Sequence, residues 1–283
     1  MDGSNVKEDQ PYLQVAVAAA KEAGRIQKEH VGRITRVEYK GEIDPVTEVD
    51  RLCEKAVVGL IRDAFPSHDV LTEESPFEGD GAPWKWIVDP LDGTTNYLHG
   101  LPCFCVSVAL EVKGEVTVGV VYDPMLDELF HAEQGKGAFL NGNRISVSKK
   151  DNLDRSFLCT GFPYDVRERP DFYLGYFREF MIRSFALRRL GSAALDLCYL
   201  AAGRFDGFWE LKLHAWDVAA AGLIVVEAGG VTTDFRGGPF SIYSGEILAS
   251  NGLIHQEMLE VMRTIPPGAN RRAHSDAVQG EDG

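Results

Sequence analysis

The reading of this chain turns on Trp86 to Asn96, WIVDPLDGTTN. Trp86, Ile87 and Val88 form a short apolar run that Asp89-Pro90 breaks, the pattern of a buried strand ending in a turn. Asp89 and Asp92 then stand three residues apart. Pro90 fixes one backbone dihedral, and Gly93 permits a conformation that other residues avoid. Thr94, Thr95 and Asn96 bring polar groups able to cap a helix or grip an anion. Such a turn suits a hard cation and a phosphate. Asp-Pro and Asp-Gly are also common turn dipeptides, so the rest of the chain has to decide between a site and a plain turn.

At 283 residues the chain has room for one large domain or two ordinary ones, and 45% hydrophobic content supplies a substantial core. A formal net charge of -14 argues against a nucleic-acid surface spread over the whole molecule, while it fits a cation-binding protein. The five cysteines are odd in number and contain no CxxC pair, which points away from a disulfide framework or thiolate zinc site and toward a reducing compartment. The early apolar segment Leu13 to Ala20 is Ala-rich, interrupted by Gln14 and preceded by an acidic start. Neither a signal peptide nor a membrane span is expected, and a cytoplasmic location follows from these readings.

Outward from the opening stretch, the spacing predicts a helix from Tyr12 to about His30 and a strongly amphipathic one over TEVDRLCEKAVVGLIRDAF, capped by Thr47 with Asp50 in its first turn. Pro66 ends that helix, and Val70-Leu71 opens a short strand that delivers Glu73 and Glu74. Two short strands thus end in carboxylates, and ligands gather at the ends of neighbouring strands. From Phe104 to Ser148, apolar runs broken at Lys113-Gly114, Asp123-Pro124 and Asn141-Gly142 predict an antiparallel meander, with Gly135-Lys136-Gly137 as a hairpin turn. Asp151 to Pro170 reads as irregular. Helix is predicted for 171–184, 192–202, 216–228 and 253–263, and strand for 185–190, 205–210 and 247–249. The change of pattern near residue 150 divides the chain into halves 1–150 and 151–265, followed by a polar tail, 266–283, expected to be disordered along with residues 1–9.

The chemistry-bearing candidates are Asp50, Glu73, Glu74, Asp89, Asp92 and Asp217, the last in the first turn of an apolar helix. If they converge, so many carboxylates cannot remain ionised together without cations, and an all-oxygen ligand set favours magnesium or manganese over zinc. Beside a Gly-Thr turn that offers amides and a hydroxyl, such ions suit hydrolysis of a phosphate ester by water. His214 reads as a local structural hydrogen bond, and Arg183, Arg188 and Arg189 as a surface or subunit contact.

DPLDGTTN at 89–96, EES at 73–75 and WDVAAAGLIVVEAGG at 216–230 closely resemble, in order and spacing, the signature motifs of the inositol monophosphatase family, and the likeness runs from the first helix through about Arg263. The resemblance implies an α/β fold, a layered αβαβα sandwich of the inositol monophosphatase and fructose-1,6-bisphosphatase type, and usually a homodimer. It further implies hydrolysis of sugar or cyclitol monophosphates with two or three Mg2+ ions (Mn2+ as substitute) and inhibition by lithium. Carried over by position, Glu73, Asp89 and the Leu91 carbonyl would hold a first ion, and Asp89, Asp92 and Asp217 a second, with Glu73 near a weaker third. Thr94 with Asp50 would orient the attacking water, and the Gly93 and Thr94 amides would meet the phosphate. Glu74 and Lys40 would support the metal site, while Ser192, Ala193, Glu210 and Asp217 would face the organic part of the substrate. Phe162-Pro163-Tyr164 falls on no family pattern and is a candidate for shaping substrate choice. The expected substrate is a myo-inositol monophosphate. The alternatives are fructose 1,6-bisphosphate, histidinol phosphate, a 3'-phosphonucleotide, or a binding role in bacterial transcription, which some relatives have.

Overall fold

The computed structural model describes residues 11–33, 37–40, 45–77 and 79–265. The expectations for residues 1–9, for the link through Gly41 and Asp44, and for the tail after Pro266 lie outside these described residues. In chain order the elements are α1 (Tyr12–His30), β1 (Val37–Tyr39), β2 (Pro45–Thr47), α2 (Glu48–Ala64), β3 (Asp69–Thr72), β4 (Trp84–Asp92) and α3 (Thr94–Leu98). The meander follows as β5 (Cys105–Val112), β6 (Glu115–Asp123), β7 (Glu128–Glu133), β8 (Gly137–Leu140) and β9 (Asn143–Arg144). Then come β10 (Phe157–Thr160), α4 (Pro170–Met181), β11 (Ala186–Arg188), α5 (Ala193–Ala201), β12 (Gly207–Leu211), α6 (Ala215–Glu227), β13 (Val231–Thr233), β14 (Glu246–Ser250) and α7 (His255–Arg263).

Two sheets carry the fold. The larger runs β3-β4-β5-β6-β7-β8-β9, parallel only between β3 and β4. The smaller runs β11-β10-β12-β14-β13, with β10 parallel to both neighbours. Strand alternation assigns their faces. On β4, β5 and β6, Trp86, Val88, Val106, Val108, Leu110, Val118 and Val120 pack with α1 and α2. Ile87, Cys105, Ala109 and Val121 point the other way, into a core shared with α5, α6 and the smaller sheet. The opposite face of that sheet, through Leu158, Trp209 and Leu248, meets α4 and α7. The order helices, sheet, helices, sheet, helices is the αβαβα sandwich expected from the sequence.

The middle helix layer is tight because α6 is Ala- and Gly-rich. A Cβ on Gly119 of β6 would lie 2.6 Å from the Ala220 carbonyl oxygen, so helix and strand approach as closely as a bare glycine allows. Burial is complete along Ala219, Ala220, Ala221 and Ile224 to within 1% exposure, which fixes the depth at which the N-terminal turn of α6 meets the sheet.

The short elements β1, β2, α3 and β13 fall where no strand or helix is predicted, and two further segments depart from the expected pattern. Asp151 to Pro170 contains β10, a four-residue run flanked by short 3-10 turns. A strand this short carries too little periodicity to stand out from a loop. Strand β4, expected to stop at Asp89-Pro90, continues to Asp92. Pro90 is tolerated there because the ladder with β5 shifts register between Asp89 and Asp92.

Gly119→Val would drive a branched side chain into the α6 backbone. We expect it to lower stability by about 1–3 kcal/mol or more, read from denaturant midpoints, while Gly59→Ala, with nothing within 4 Å of the added carbon, should cost little.

Candidate metal centre and active site

The shifted register decides where the carboxylates go. In a regular strand residues 89 and 92 face opposite sides of the sheet, since side chains alternate. Here Asp89 pairs with Ser107 and Asp92 with Cys105, so three steps on β4 oppose two on β5. The extra residue is a bulge that reverses the alternation. Leu91, of the same parity as Ile87, accordingly packs on the α1 and α2 side while Ile87 packs between the sheets. Both aspartates therefore emerge toward the middle layer. There Asp217, in the first turn of α6, joins them, with carboxylate oxygens of Asp89, Asp92 and Asp217 all within 4.8 Å of one another.

Each of the three carboxylates has one oxygen committed to the protein. Asp89 Oδ1 accepts the Leu91 amide at 2.9 Å across the bulge. Asp92 Oδ2 accepts the Ser192 hydroxyl at 2.6 Å and the Ala194 amide at 2.8 Å, at the positive N-terminal end of α5. Asp217 Oδ2 accepts the His214 amide at 2.6 Å. The remaining oxygens are left for a common occupant. Burial pushes all three carboxyls above the ordinary range; for Asp89 the charges of Glu73, Asp92 and Asp217 add to it, and for Asp217 those of Asp92 and Glu73. Buried like charges with carboxylate oxygens this close together fit a divalent cation, and the donors are oxygen throughout.

The other expected residues surround this point. Glu73 follows β3, whose Thr72 pairs with Val88, so it stands beside Asp89 at the ends of two parallel strands. Its carboxylate is pushed up to about 7, chiefly by burial, with Lys40 opposing the shift. Lys40 bridges Glu73 at 3.0 Å and Glu74 at 2.7 Å. Glu74 is further fixed through its amide, which donates to Glu54 at 3.0 Å. The Thr94 hydroxyl lies 3.0 Å from both Asp50 Oδ1 and the Leu91 carbonyl. It has one proton to give, so one of those contacts uses its donor and its lone pairs stay available. Asp50 is itself held by the Thr47 amide at 2.8 Å and the Thr47 hydroxyl at 2.5 Å, the reciprocal cap of α2. Gly93 is left-handed at φ +96°, and a Cβ there would meet the Cys103 carbonyl oxygen at 2.9 Å, so only glycine makes this turn.

A cleft of about 400 Å³ opens over the cluster and is lined by Glu73, Asp89, Leu91, Asp92, Gly93, Thr94, Ser192, Ala193, Glu210 and Asp217, with Lys40 at its edge. Asp50 and Glu74 are not among its lining residues and stand behind it. His214 stacks on Trp216 with ring centroids 4.6 Å apart and serves Asp217 through its backbone, in keeping with a structural hydrogen bond. Of the three arginines expected on a surface, Arg183 pairs with Glu179 and Arg188 lies over the Phe157 ring, but Arg189 lines the cleft.

Several contributors carried no sequence signal. Gln27, fully buried on α1, donates to the carbonyls of Pro90 at 2.8 Å and Cys105 at 3.2 Å, tying the bulge to the helix beneath it. Gly161 lies against Glu210, where a Cβ would come within 2.0 Å of a carboxylate oxygen. Lys212 and Asp165 also line the cleft. Each depends on a partner far away in sequence.

The sequence model of the inositol monophosphatase family matches residues 8–266. The chain belongs to the inositol monophosphatase family. Among its relatives is the protein named Nus factor SuhB of Pseudomonas aeruginosa, 42% identical over 270 residues that cover 93% of this chain and 100% of that protein. The Nus factor SuhB of Escherichia coli is 44% identical over 256 residues, covering 89% and 96%. Among solved structures, the inositol monophosphatase of Anabaena (Nostoc) superposes with a TM-score of 0.83 at 41% identity, covering 91% of this chain and 97% of that one. The extragenic suppressor protein SuhB of Bartonella henselae gives 0.85 at 42%, covering 89% and 98%. Family membership makes the chain a phosphatase of this superfamily, with an acidic cluster able to hold a metal. Among the described residues no helix is long and apolar enough to cross a membrane.

A carboxyl raised on folding keeps its proton in the native chain at pH values where the unfolded chain has lost it, so stability falls as pH rises from the usual carboxylate value through the raised one. Glu210, pushed up to about 8 chiefly by burial with Asp92 adding, and Glu73 set that window between about 4.5 and 8. With chelator present, stability should drop by several kcal/mol, on the order of 5, from pH 5 to pH 8. Millimolar magnesium should recover the loss at pH 8 and do little at pH 5, as read by differential scanning calorimetry.

Proposed function

We propose that this chain is a magnesium-dependent phosphomonoesterase that hydrolyses myo-inositol monophosphates to inositol and phosphate. The observation that supports this most is the convergence of Asp89, Asp92 and Asp217, each with one oxygen committed and one open, at the floor of the cleft. In this reading Glu73, Asp89 and the Leu91 carbonyl hold one ion and Asp89, Asp92 and Asp217 another, with Glu73 adjoining a third, as two or three Mg2+ or substituting Mn2+. Bound there, the ions supply a water of lowered pKa and neutralise charge on the phosphoryl and leaving oxygens. The protein's own part is positioning. Asp50 orients the Thr94 hydroxyl, whose lone pair would accept a hydrogen bond from the incoming water and aim its oxygen at phosphorus. The Gly93 and Thr94 amides face the phosphate oxygens. Lys40 and Glu74 keep Glu73 in place.

For the alcohol, Ser192 and Ala193 open α5 along the cleft wall, and Glu210 offers a carboxylate to ring hydroxyls. About 400 Å³ is within the range of small-molecule sites. Two copies of the chain are proposed to associate as the family usually does, and the enzyme is proposed to work in the cytoplasm. The name Nus factor on the relatives from Pseudomonas aeruginosa and Escherichia coli supports a second reading, in which the same fold also contacts the transcription apparatus.

Asp92→Asn should lower kcat on myo-inositol 1-phosphate by at least about a hundredfold, measured as phosphate release with magnesium. Unchanged hydrolysis would remove Asp92 from the metal site. In the parent, lithium should inhibit that activity, and a screen of phosphate esters dominated by a non-inositol ester would overturn the substrate. A cellular phenotype indifferent to Asp92→Asn would favour the second reading.

A further inference from the structure

The cleft has a second end, beyond Glu210, that no metal-binding role uses. Lys212 stands two residues past Glu210, just after β12, in left-handed backbone at φ +61° that non-glycine residues seldom adopt. Its ammonium pairs with Asp165, in the 3-10 turn Tyr164–Arg167. The other oxygen of Asp165 accepts the Tyr173 hydroxyl at 2.8 Å, so both oxygens of that carboxylate are engaged. Asp165 and Lys212 come from different segments, and both line the cleft. Arg189 lines the cleft as well, and its charge bears on the buried carboxyls of Glu210 and Asp196.

Within the pair the charges cancel, the Lys212 ammonium against the Asp165 carboxylate. A neutral polyol ring meets no net charge from the pair and finds the buried Glu210 carboxyl as a hydrogen-bonding partner. A ring carrying a second phosphate, with about -1.5 to -2 charges, would meet an ammonium already answered by Asp165, whose own charge opposes it. The Lys212 side chain is 45% exposed, so the pair adds little to folding stability. Its consequence lies in what the cleft admits.

We propose that the Asp165–Lys212 ion pair is a specificity device: Asp165 cancels the charge of Lys212, so that the cleft selects a polyol bearing one phosphate over the same polyol bearing two. The proposal rests on the phosphatase reading above and deepens it, adding a residue pair that acts on the alcohol and not on the metals. Removing the Asp165 charge turns Lys212 into a receptor for a second phosphate, and removing Lys212 leaves Asp165 to repel one.

The test is the ratio of kcat/KM for inositol 1,4-bisphosphate to that for inositol 1-phosphate, measured by phosphate release with magnesium. Asp165→Asn should raise the ratio about tenfold, mainly through KM, and the gain should shrink as ionic strength rises. Asp165→Asn combined with Lys212→Met should return the ratio close to the parent's. Lys212→Met alone should lower it, an arm that stands even if Asp165→Asn fails to fold. An unmoved ratio in a variant that melts like the parent overturns the proposal, as does a gain that survives in the double variant. A parent that hydrolyses neither ester overturns the phosphatase reading instead, and this proposal with it.

Discussion

Three buried carboxylates within 4.8 Å of one another are an arrangement that folding alone opposes, and the rest of this structure is organised around making it possible. The solution is to commit half of each group. One oxygen of Asp89 is tied across the bulge, one of Asp92 to the start of α5, and one of Asp217 to the start of α6. The orientation of each carboxylate is thereby set by backbone amides, which do not rearrange when a cation or phosphate arrives. Preorganisation of this kind is what electrostatic catalysis requires.

The elements that supply those amides come from two adjacent layers of the sandwich, the larger sheet and the middle helices, which explains why the packing around them is so close. The bulge in β4 is braced from below by Gln27 on α1 and from the side by β5. Helix α6 is lowered onto β6 at Gly119, and the Ser107 hydroxyl of β5 holds the Trp216 carbonyl at its first turn, 3.1 Å away. A shift of one layer against another would separate Asp217 from Asp89 before it disturbed either locally. Core packing and site geometry are one constraint.

The parts of this arrangement that a sequence makes legible are those carried by local pattern. Asp89, Asp92, Gly93 and Thr94 stand in one turn, Asp50 and Thr47 in one helix cap, and Asp217 in one first turn, so each announced itself within a few residues. The long amphipathic helices did so through their spacing. The bulge was not legible, because Asp89-Pro90 signals a break and nothing local says that the strand resumes with its faces exchanged. Nor was β10, whose four residues gain their identity from β11 and β12 on either side. Gln27, Gly161 and the Asp165–Lys212 pair were invisible for the same reason: what each touches is 47 to 78 residues away in sequence.

That division between local and distant signals follows the division of labour in the cleft. The metal end is held by backbone at the ends of strands and helices, and backbone geometry tolerates few alternatives. The far end is built from side chains on a 3-10 turn, a loop and a strand terminus, where one charge can be exchanged for another without moving the frame. The two ends are nevertheless joined through α5. Its N-terminal Ser192 both caps the helix and donates to Asp92, while Ala193 next to it faces the cleft. On the proposed reading, an alcohol pressing on that turn would bear on a carboxylate of the acidic cluster, so the fit of the leaving group and the placement of the ions would not be independent. In that reading, selectivity for the alcohol would act on turnover as well as on affinity, because misfit at Ser192 and Ala193 would displace the carboxylate of Asp92.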